Sequence, residues 1–166
     1  MIRKSKKYVR PRKAYEISRI KEENTLLKRY ALKNKREVWK TLAKINYFRS
    51  RAKALAKSSN EEQQILFNKL KALGLKVNSI ADVLGLKIEN LLERRLPTIV
   101  AKKGLASTPK QARQWIVHKK VLIDGKVVNV PSYIVRVEEE NKISLKHNEK
   151  KPKEEKENVQ STEASQ

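Results

Sequence analysis

The segment of residues 92–145 constrains the fold of this chain most, because a sharp helix start is followed within it by a hairpin turn. Thr108 supplies a hydroxyl N-cap, Pro109 suits the first helical position, and the amide of Gln111, three residues on, can reach back to the cap. Further on, Asp124-Gly125 is a dipeptide that favours two-residue hairpin turns with positive φ. The segment therefore predicts a helix that leads into a small antiparallel sheet.

The helix that begins at Pro109 has one apolar face and a basic outer face. Its predicted buried residues are Ala112, Trp115 and Ile116. Its predicted solvent-exposed side carries Lys110, Arg113 and Gln114. An earlier helix is expected to start afresh near Pro97, because a proline inside a helix removes a donor, and to end at a left-handed Gly104.

Two β-branched runs flank the hairpin turn, at residues 121–123 and 126–130. A two-residue loop pairs the residues on either side of it, so Ile123 should face Lys126. After a turn at Pro131, another strand is predicted at 133–137 and a possible last one at 142–145.

The longest predicted helix spans residues 35–57 and carries two kinds of face. The apolar stripe recurs at steps of three and four and is predicted to be core: Val38, Leu42, Ile45, Phe48, Ala52 and Leu55. The remaining faces are basic, with Lys40, Lys44, Arg49 and Arg51. Such faces are usually just solvated, but Glu37 is the single acidic residue in this range. Contact with phosphate is therefore favoured over internal pairing.

The chain divides by composition into residues 1–90, 91–145 and 146–166. The first part is predicted to be a basic arm, residues 1–13, followed by a helical domain. Asn34 is predicted to end one helix of this domain or to cap the next. A later helix of this domain is predicted to pack through Ile65, Leu66, Leu70 and Leu73. The last part is charged, balanced in sign and nearly free of apolar residues, so it is predicted to be disordered. The predicted helices and the small predicted sheet together indicate the fold class α+β, mostly α.

The charge of the chain indicates an acidic partner. It has 40 Lys and Arg residues against 18 Asp and Glu, a net charge of +22. An excess of positive charge of this size makes nucleic acid the default partner. The alternative, a soluble basic protein without an acidic partner, is less favoured. A membrane surface is disfavoured, because the sequence has no long apolar run and no signal-peptide pattern. The absence of cysteine excludes disulfides and zinc-thiolate sites.

The sequence offers no constellation that requires catalysis. His118 and His147 are the only histidines and lie far apart in the chain. Gly125-Lys126 would need a glycine at position 120 to form a phosphate loop, and that position is Lys120. The acidic residues at 138–140 form a loop cluster rather than a paired acid and base. We expect a binding protein that is not an enzyme, with no cofactor and no metal.

Several motifs resemble a known family. RRL at 94–96, GLA at 104–106, TPKQAR at 108–113 and IDGKVVNVPSYIV at 123–135 resemble a small RNA-binding module. That module is shared by ribosomal protein number four of the small subunit, some RNA-modifying enzymes and a heat-shock protein. KNKREVW at 33–39 resembles the N-terminal domain of the ribosomal protein alone, in its archaeal and eukaryotic branch.

The resemblance implies a structural protein of the cytoplasmic small ribosomal subunit. It implies direct binding to the five-prime domain of the ribosomal RNA during assembly, and a place at the messenger entry region with an influence on accuracy. Neighbouring small-subunit proteins and messenger RNA would be further partners. The alternative is a related factor for pre-ribosomal RNA processing and subunit assembly that uses the same module. An accessory module of an RNA-modifying enzyme and a DNA compactor are weaker rivals.

Basic residues of the motifs and of the long helix are the candidate RNA contacts. They are Lys33, Lys35, Arg36, Lys40, Lys44, Arg49, Arg51, Arg94, Arg95, Lys102, Lys103, Lys110, Arg113, Lys119 and Lys120. An internal ion pair is about as plausible for Arg94 or Arg95, with Glu93 or Glu89 as the partner. Replacing Arg95 and Arg113 together is predicted to weaken RNA binding with little loss of folding.

Three positions depart from the family pattern. Pro97 stands where Gln or Asp is common, which leaves the path of its helix open. Ala31 stands where Gly is common, which suggests that a helix continues there. Lys119 also stands where Gly is common, so the turn there is expected to differ. The zinc cysteines of some bacterial members are absent.

Overall fold

The computed structural model describes residues 6–146. The helices in this range are α1 (Ile17–Arg29), α2 (Lys35–Leu55), α3 (Asn60–Ala72), α4 (Ile80–Gly85), α5 (Ile88–Glu93), α6 (Leu96–Lys102), α7 (Pro109–Val117) and α8 (Val137–Glu140). The strands are β1 (Val121–Ile123), β2 (Lys126–Val127) and β3 (Ile143–Leu145). The predicted α+β class with a helical majority is confirmed. Residues 1–5 and 147–166 lie outside the described residues, and so do His147 and nearly all of the tail that was predicted to be disordered.

A left-handed turn separates α1 from α2. Ala31 adopts a φ of 49°, two residues after α1 ends at Arg29. The prediction that the helix continues through Ala31 is therefore wrong, because a residue with positive φ cannot belong to a right-handed helix. Ala31 adopts this conformation although its β-carbon makes it strained. Asn34 is the N-cap of α2, and its side chain accepts a hydrogen bond from the Glu37 backbone N–H at 3.2 Å.

The helical part is built around one apolar cluster between α2, α3, α4 and α5. Leu70, Val83 and Leu91 are among its fully buried members, and Ile134 from the later part of the chain packs against it. A smaller cluster joins the end of α1 to α2 and α5 through Tyr30 and other side chains. The long helix α2 contributes to both clusters and is therefore the frame of this part.

Two residues of the predicted apolar faces are exposed instead of buried. Leu42 is 39% exposed and Ile65 is 69% exposed. At about 100° per residue, Leu42 lies about 60° around α2 from the buried Ile45, and Ile65 lies about 100° from Leu66 on α3. Both side chains therefore lie outside the part of each helix surface that packs against the core.

The predicted break before Pro97 is confirmed. α5 ends at Glu93 and α6 begins at Leu96, which places Pro97 in the first turn, where its missing N–H costs nothing. Gly104 follows α6 with a φ of 73°, as predicted for a left-handed cap, and its N–H donates to the Ala101 carbonyl at 3.0 Å.

The start of α7 follows the predicted capping pattern with one difference. The Thr108 hydroxyl accepts from the Gln111 N–H at 3.2 Å, and Pro109 is the first helical residue. The Gln111 side chain reaches back to Ser107, one residue before the cap, and accepts from its N–H at 2.9 Å. Ala112 and Ile116 are fully buried, whereas Trp115 is half-buried at the edge of the same cluster.

The three strands form an antiparallel sheet in the order β2-β1-β3. Ile123 faces Lys126 as predicted, across a turn in which Asp124 and Gly125 have φ values of 52° and 75°. The predicted last strand is confirmed as β3, which pairs with β1. The second run is shorter than predicted, because β2 ends at Val127.

The strand predicted at 133–137 does not form. Ile134 makes a single bridge to Arg95, and the Val135 N–H donates to the Arg94 carbonyl at 3.0 Å. These residues therefore pair with the link between α5 and α6 and not with the sheet. Val137 already belongs to α8, whose start is fixed by Glu139 accepting from the Arg136 N–H at 3.2 Å.

A second apolar cluster lies between α6, α7 and the sheet. Its fully buried members include Leu96, Val100, Ile116, Val121 and Val135. The buried residues of this cluster and those of the helical part form two separate groups. The chain therefore has two packed parts, the helical part up to α5 and the module of α6, α7, α8 and the sheet.

Candidate nucleic-acid interface

Glu37 lies where the helical part meets the module. It is in the first turn of α2, and its carboxylate accepts hydrogen bonds from two arginines of the module. Arg95 Nη2 lies 2.7 Å from Glu37 Oε2, and Arg113 Nη2 lies 2.8 Å from Oε1. Arg113 Nη1 adds bonds to Oε2 at 3.1 Å and to the Ala31 carbonyl at 3.2 Å. The contact is a charged seam with near-ideal geometry.

The seam is largely removed from water. The side chains of Arg95, Glu37 and Arg113 are 7%, 17% and 22% exposed. Burial by itself would raise the pKa of Glu37, but the hydrogen bonds and charges of Arg113 and Arg95 outweigh it and lower the pKa to about 2. Glu37 is therefore ionised at any physiological pH.

Arg94 forms a second link between the two parts. Its Nε donates to the Leu73 carbonyl at 3.0 Å, and its Nη1 donates to Glu140 at 2.8 Å. Its Nη2 donates to the Val135 carbonyl at 3.2 Å. Gly74, with a φ of 76°, lies against the guanidinium.

The predicted internal pairs of Arg94 and Arg95 therefore exist but with other partners. Arg94 pairs with Glu140 and Arg95 with Glu37. Glu93 pairs with Lys102 and Glu89 with Arg29 instead. This geometry argues against the predicted little loss of folding when Arg95 and Arg113 are both replaced, because the largely buried Glu37 carboxylate would be left without its partners.

A row of exposed side chains runs along α2 beside the seam. At about 100° per residue its members fall within about 80° around the helix. The row, which we call the α2 basic stripe, consists of Arg36, Lys40, Lys44, Tyr47 and Arg51. Tyr47 is 59% exposed among these cations. An aromatic ring among cations is the combination that contacts both bases and phosphates.

A groove of about 420 Å³ lies between the α2 basic stripe and the module. Arg36, Lys40 and Lys44 line it from α2, and Pro131 and Ser132 line it from the module. Desolvation, followed by the charge of Lys69, lowers the pKa of Lys44, although the residue as a whole is exposed. A phosphate in the groove would favour the charged form of this lysine.

A second cleft, of about 430 Å³, lies at the start of α2. Arg10 and Pro11 of the arm line it together with Lys35, Arg36 and Trp39. The Tyr8 ring lies 6.0 Å from the Trp39 ring, between centroids. Tyr8 therefore anchors the N-terminal arm to α2.

Several predicted contacts lie elsewhere on the surface or are engaged. Arg49 donates to the Leu86 carbonyl at 2.7 Å and is half-buried. Lys103 donates to the Glu140 carbonyl, and Lys102 pairs with Glu93 at 3.1 Å. Lys102 and Lys103 are nevertheless exposed, and so are the other predicted residues Lys33, Lys110, Lys119 and Lys120, all outside the stripe. Lys119, at a position where Gly is common in the family, adopts a left-handed φ of 58°.

Sequence reasoning missed two features of this surface. Glu37 was noted only as a lone acidic residue, and its partners are more than 50 positions away. Its position in the first turn of a basic helix was the one available signal. Arg10 was counted only as part of the arm, and nothing local indicated that it would line a cleft with α2.

Comparison with known proteins identifies the family. A sequence model described as "S4 domain" matches residues 94–141. The chain is similar to "Small ribosomal subunit protein uS4" of Methanococcus aeolicus, with 42% identity over 88% of this chain and 86% of the relative. The chain belongs to the uS4 family. The proteins of the same name from Nanoarchaeum equitans and Thermoplasma volcanium are 42% and 41% identical, over 87% and 86% of this chain and 85% and 76% of theirs.

In this uS4-family chain the S4 domain match covers most of the module and begins at Arg94, the residue that links the two parts. Among residues 6–146 there is no group of three or more His, Cys, Asp or Glu side chains arranged to hold a metal ion. Within the same range, no helix combines the length and the apolar character needed to cross a membrane.

Proposed function

We propose that this chain binds small-subunit ribosomal RNA directly, as a structural and non-enzymatic protein of the cytoplasmic small ribosomal subunit. The observation that carries this is identity of about 40% with proteins named uS4, extending over both packed parts rather than over the S4 domain alone. A net charge of +22 and the exposed cations of the α2 basic stripe support RNA as the partner.

The geometry supports recognition of a folded RNA by its backbone. The stripe on α2 and the exposed lysines Lys110, Lys119 and Lys120 of the module are spaced surfaces on two packed parts. Duplex RNA presents phosphates and a shallow groove rather than readable base edges, so spaced cations on a firm frame suit it. A junction where several RNA backbones converge is the shape that fits such a protein.

The finer role proposed here has three parts. The chain helps nucleate assembly of the five-prime domain of the ribosomal RNA, it lies beside neighbouring small-subunit proteins, and it lines the messenger entry region with an influence on accuracy. The support is the family resemblance of the KNKREVW and TPKQAR motifs together with the two basic surfaces.

Sedimentation tests the main proposal against the assembly-factor alternative. Ribosomal subunits from the source cells are washed in high salt, and the copy number of this chain is measured by quantitative mass spectrometry. A structural protein stays with mature small subunits at about one copy each, because many phosphate contacts act together. Presence on precursor particles alone would replace the proposal with the assembly-factor function.

An RNA-binding comparison tests the target class. The full chain is titrated against small-subunit ribosomal RNA, and against duplex DNA of equal length in nucleotides, at the same salt concentration. Tighter binding to the ribosomal RNA is expected, because shape and spacing add to the common phosphate term. Equal affinity for the two would support a non-specific DNA compactor.

A further inference from the structure

The two packed parts of the molecule are joined mainly through polar groups. Their buried apolar residues form separate clusters, and the contribution of Ile134 to the helical cluster is the apolar link named above. The polar links include the seam of Glu37 with Arg95 and Arg113, and the bonds of Arg94. A buried bond from the Thr98 hydroxyl on α6 to the Leu92 carbonyl on α5 adds to them. Charged side chains therefore help to fix the relative placement of the two parts.

Glu37 is unexpected in its position if only charge is considered. It borders the groove between the α2 basic stripe and the module, where an anionic backbone is proposed to bind. A carboxylate there opposes phosphate binding, and it also occupies two arginines that could have met phosphates. A favourable effect of Glu37 on RNA binding must therefore come from geometry.

The geometry gives Glu37 such an effect. Its helix carries the α2 basic stripe, and Arg36 and Lys40 flank it in sequence on that stripe. Both carboxylate oxygens are held by guanidinium groups of the module at 2.7–3.1 Å, and Arg113 is bidentate. Bidentate pairs fix direction as well as distance. The seam therefore sets where the stripe stands relative to the S4 domain.

We propose that Glu37 is a positioning residue for ribosomal RNA binding, which holds the α2 basic stripe and the S4 domain at one separation so that both meet the same folded RNA. This inference rests on the proposed function. Two surfaces held at the right spacing bind as one bivalent ligand, whereas two loosely joined surfaces lose part of that advantage. Removing this negative charge should therefore weaken binding to a polyanion.

The opposite hypothesis makes the opposite prediction. If Arg95 and Arg113 were themselves the phosphate contacts and Glu37 only occupied them in the free protein, then Glu37→Gln would free two cations. Affinity for RNA would then rise. The sign of the change separates the two hypotheses.

The geometric part is tested without RNA. The sequence contains no cysteine, so Asn46→Cys on α2 and Ser144→Cys on β3, both exposed and outside the groove, allow two spin labels to be attached specifically. Electron–electron double resonance then measures the distance distribution between the two parts. A narrow distribution is expected with Glu37 and a broader one with Glu37→Gln, with circular dichroism confirming that both proteins are folded.

The binding part uses a matched charge control. Glu62 is an exposed acidic residue on α3, so Glu62→Gln gains the same charge away from the seam. We expect Glu37→Gln to bind ribosomal RNA about tenfold more weakly than the unaltered chain, and Glu62→Gln to bind as tightly or slightly more tightly. Arg113→Lys, which keeps the charge but loses the bidentate pair, should show a smaller loss and serves if Glu37→Gln does not fold.

Each outcome has a definite meaning. Equal or tighter RNA binding by Glu37→Gln overturns the proposal, and so does weaker binding with an unchanged distance distribution. Weaker binding together with a broader distribution supports it. If the unaltered chain prefers duplex DNA or binds neither polymer, the proposed function fails instead, and the spin-label distances still decide whether Glu37 fixes the two parts.

Discussion

At the scale of single residues, Glu37 should make stability depend on pH in acid. The pKa of Glu37 is lowered from 4.5 to about 2 in the folded protein, despite burial, by Arg113 and Arg95. The unfolded chain therefore takes up a proton first as pH falls. The stabilisation is fully present above about pH 4.5 and is lost between there and pH 2, and this shift corresponds to about 3 kcal/mol.

Denaturant unfolding at pH 7, 4 and 2.5 checks this. Glu37→Gln should unfold more easily than the unaltered chain at pH 7, and the difference should shrink as the pH is lowered. Glu62→Gln, with an exposed side chain, provides the control and should follow the unaltered chain. A constant difference between Glu37→Gln and the unaltered chain at all three pH values would contradict the assigned pKa.

Ala31 offers a site for stabilisation. Its φ of 49° lies in the left-handed region, where a β-carbon costs about 1 kcal/mol or more and glycine adds no strain. Ala31→Gly should therefore raise the free energy of unfolding by up to about 1 kcal/mol, after the extra entropy of the unfolded chain is counted.

The control for Ala31 is a helical alanine. Ala54 is exposed within α2, so Ala54→Gly should lower the free energy of unfolding by about 0.5–1 kcal/mol. Chemical denaturation of both variants gives the comparison. If both substitutions destabilise equally, the left-handed turn at Ala31 is not as described.

A side chain at Gly74 should destabilise the protein. A β-carbon there would lie 2.5 Å from Arg94 Cζ, and the φ of 76° adds strain. Gly74→Ala is expected to destabilise the protein by about 2 kcal/mol or more, since Arg94 must move and lose bonds across the two parts. Gly85→Ala, where an added β-carbon meets nothing within 4 Å, should be nearly neutral in the same thermal unfolding measurement.

At the scale of elements, α2 should supply RNA affinity without sequence preference. Replacing Lys40, Lys44 and Arg51 together by alanine should weaken RNA binding at least tenfold and reduce the slope of log K against log salt, because fewer counterions are released. Replacing Lys28, Lys71 and Lys76, which are exposed outside the groove, removes the same charge. Similar losses in the two triple variants would argue against the stripe.

The elements also show what the sequence could and could not reveal. Local chemistry predicted the start of α7, the break before Pro97 and the hairpin register, because each depends on neighbours within a few residues. The segment 133–137 was wrongly predicted as a sheet strand. Its β-branched composition correctly indicated an extended backbone. Its pairing partner, however, is Arg94–Arg95, some 40 residues earlier, and no local sequence pattern indicates a partner at that distance.

The candidate site was predictable in kind but not in arrangement. Charge and helical spacing selected Lys40, Lys44 and Arg51, which are exposed as expected. Arg95 and Arg113 belong to equally basic motifs, yet they face Glu37 instead of solvent. A long-range ion pair leaves no periodic trace in the sequence, so motif position alone could not separate structural arginines from surface ones.

At the scale of the whole molecule, self-repulsion should limit the stability of the free protein. A net charge of +22 on a chain of this size favours expansion, and added salt screens it. The melting temperature of the RNA-free protein should therefore rise between about 0.05 and 0.5 M sodium chloride. Differential scanning calorimetry checks this, and a fall in melting temperature would mean that attractive pairs such as the Glu37 seam outweigh the repulsion.

The sheet has a short and charged outer edge. β2 consists of only Lys126 and Val127, and Lys146 directly follows β3 on the other side. Short strands and lysines at an edge hinder pairing with the edge of a second molecule. A newly made copy that waits for its RNA partner is therefore poorly suited to join strand to strand with its neighbours, and aggregation through this sheet is suppressed during that wait.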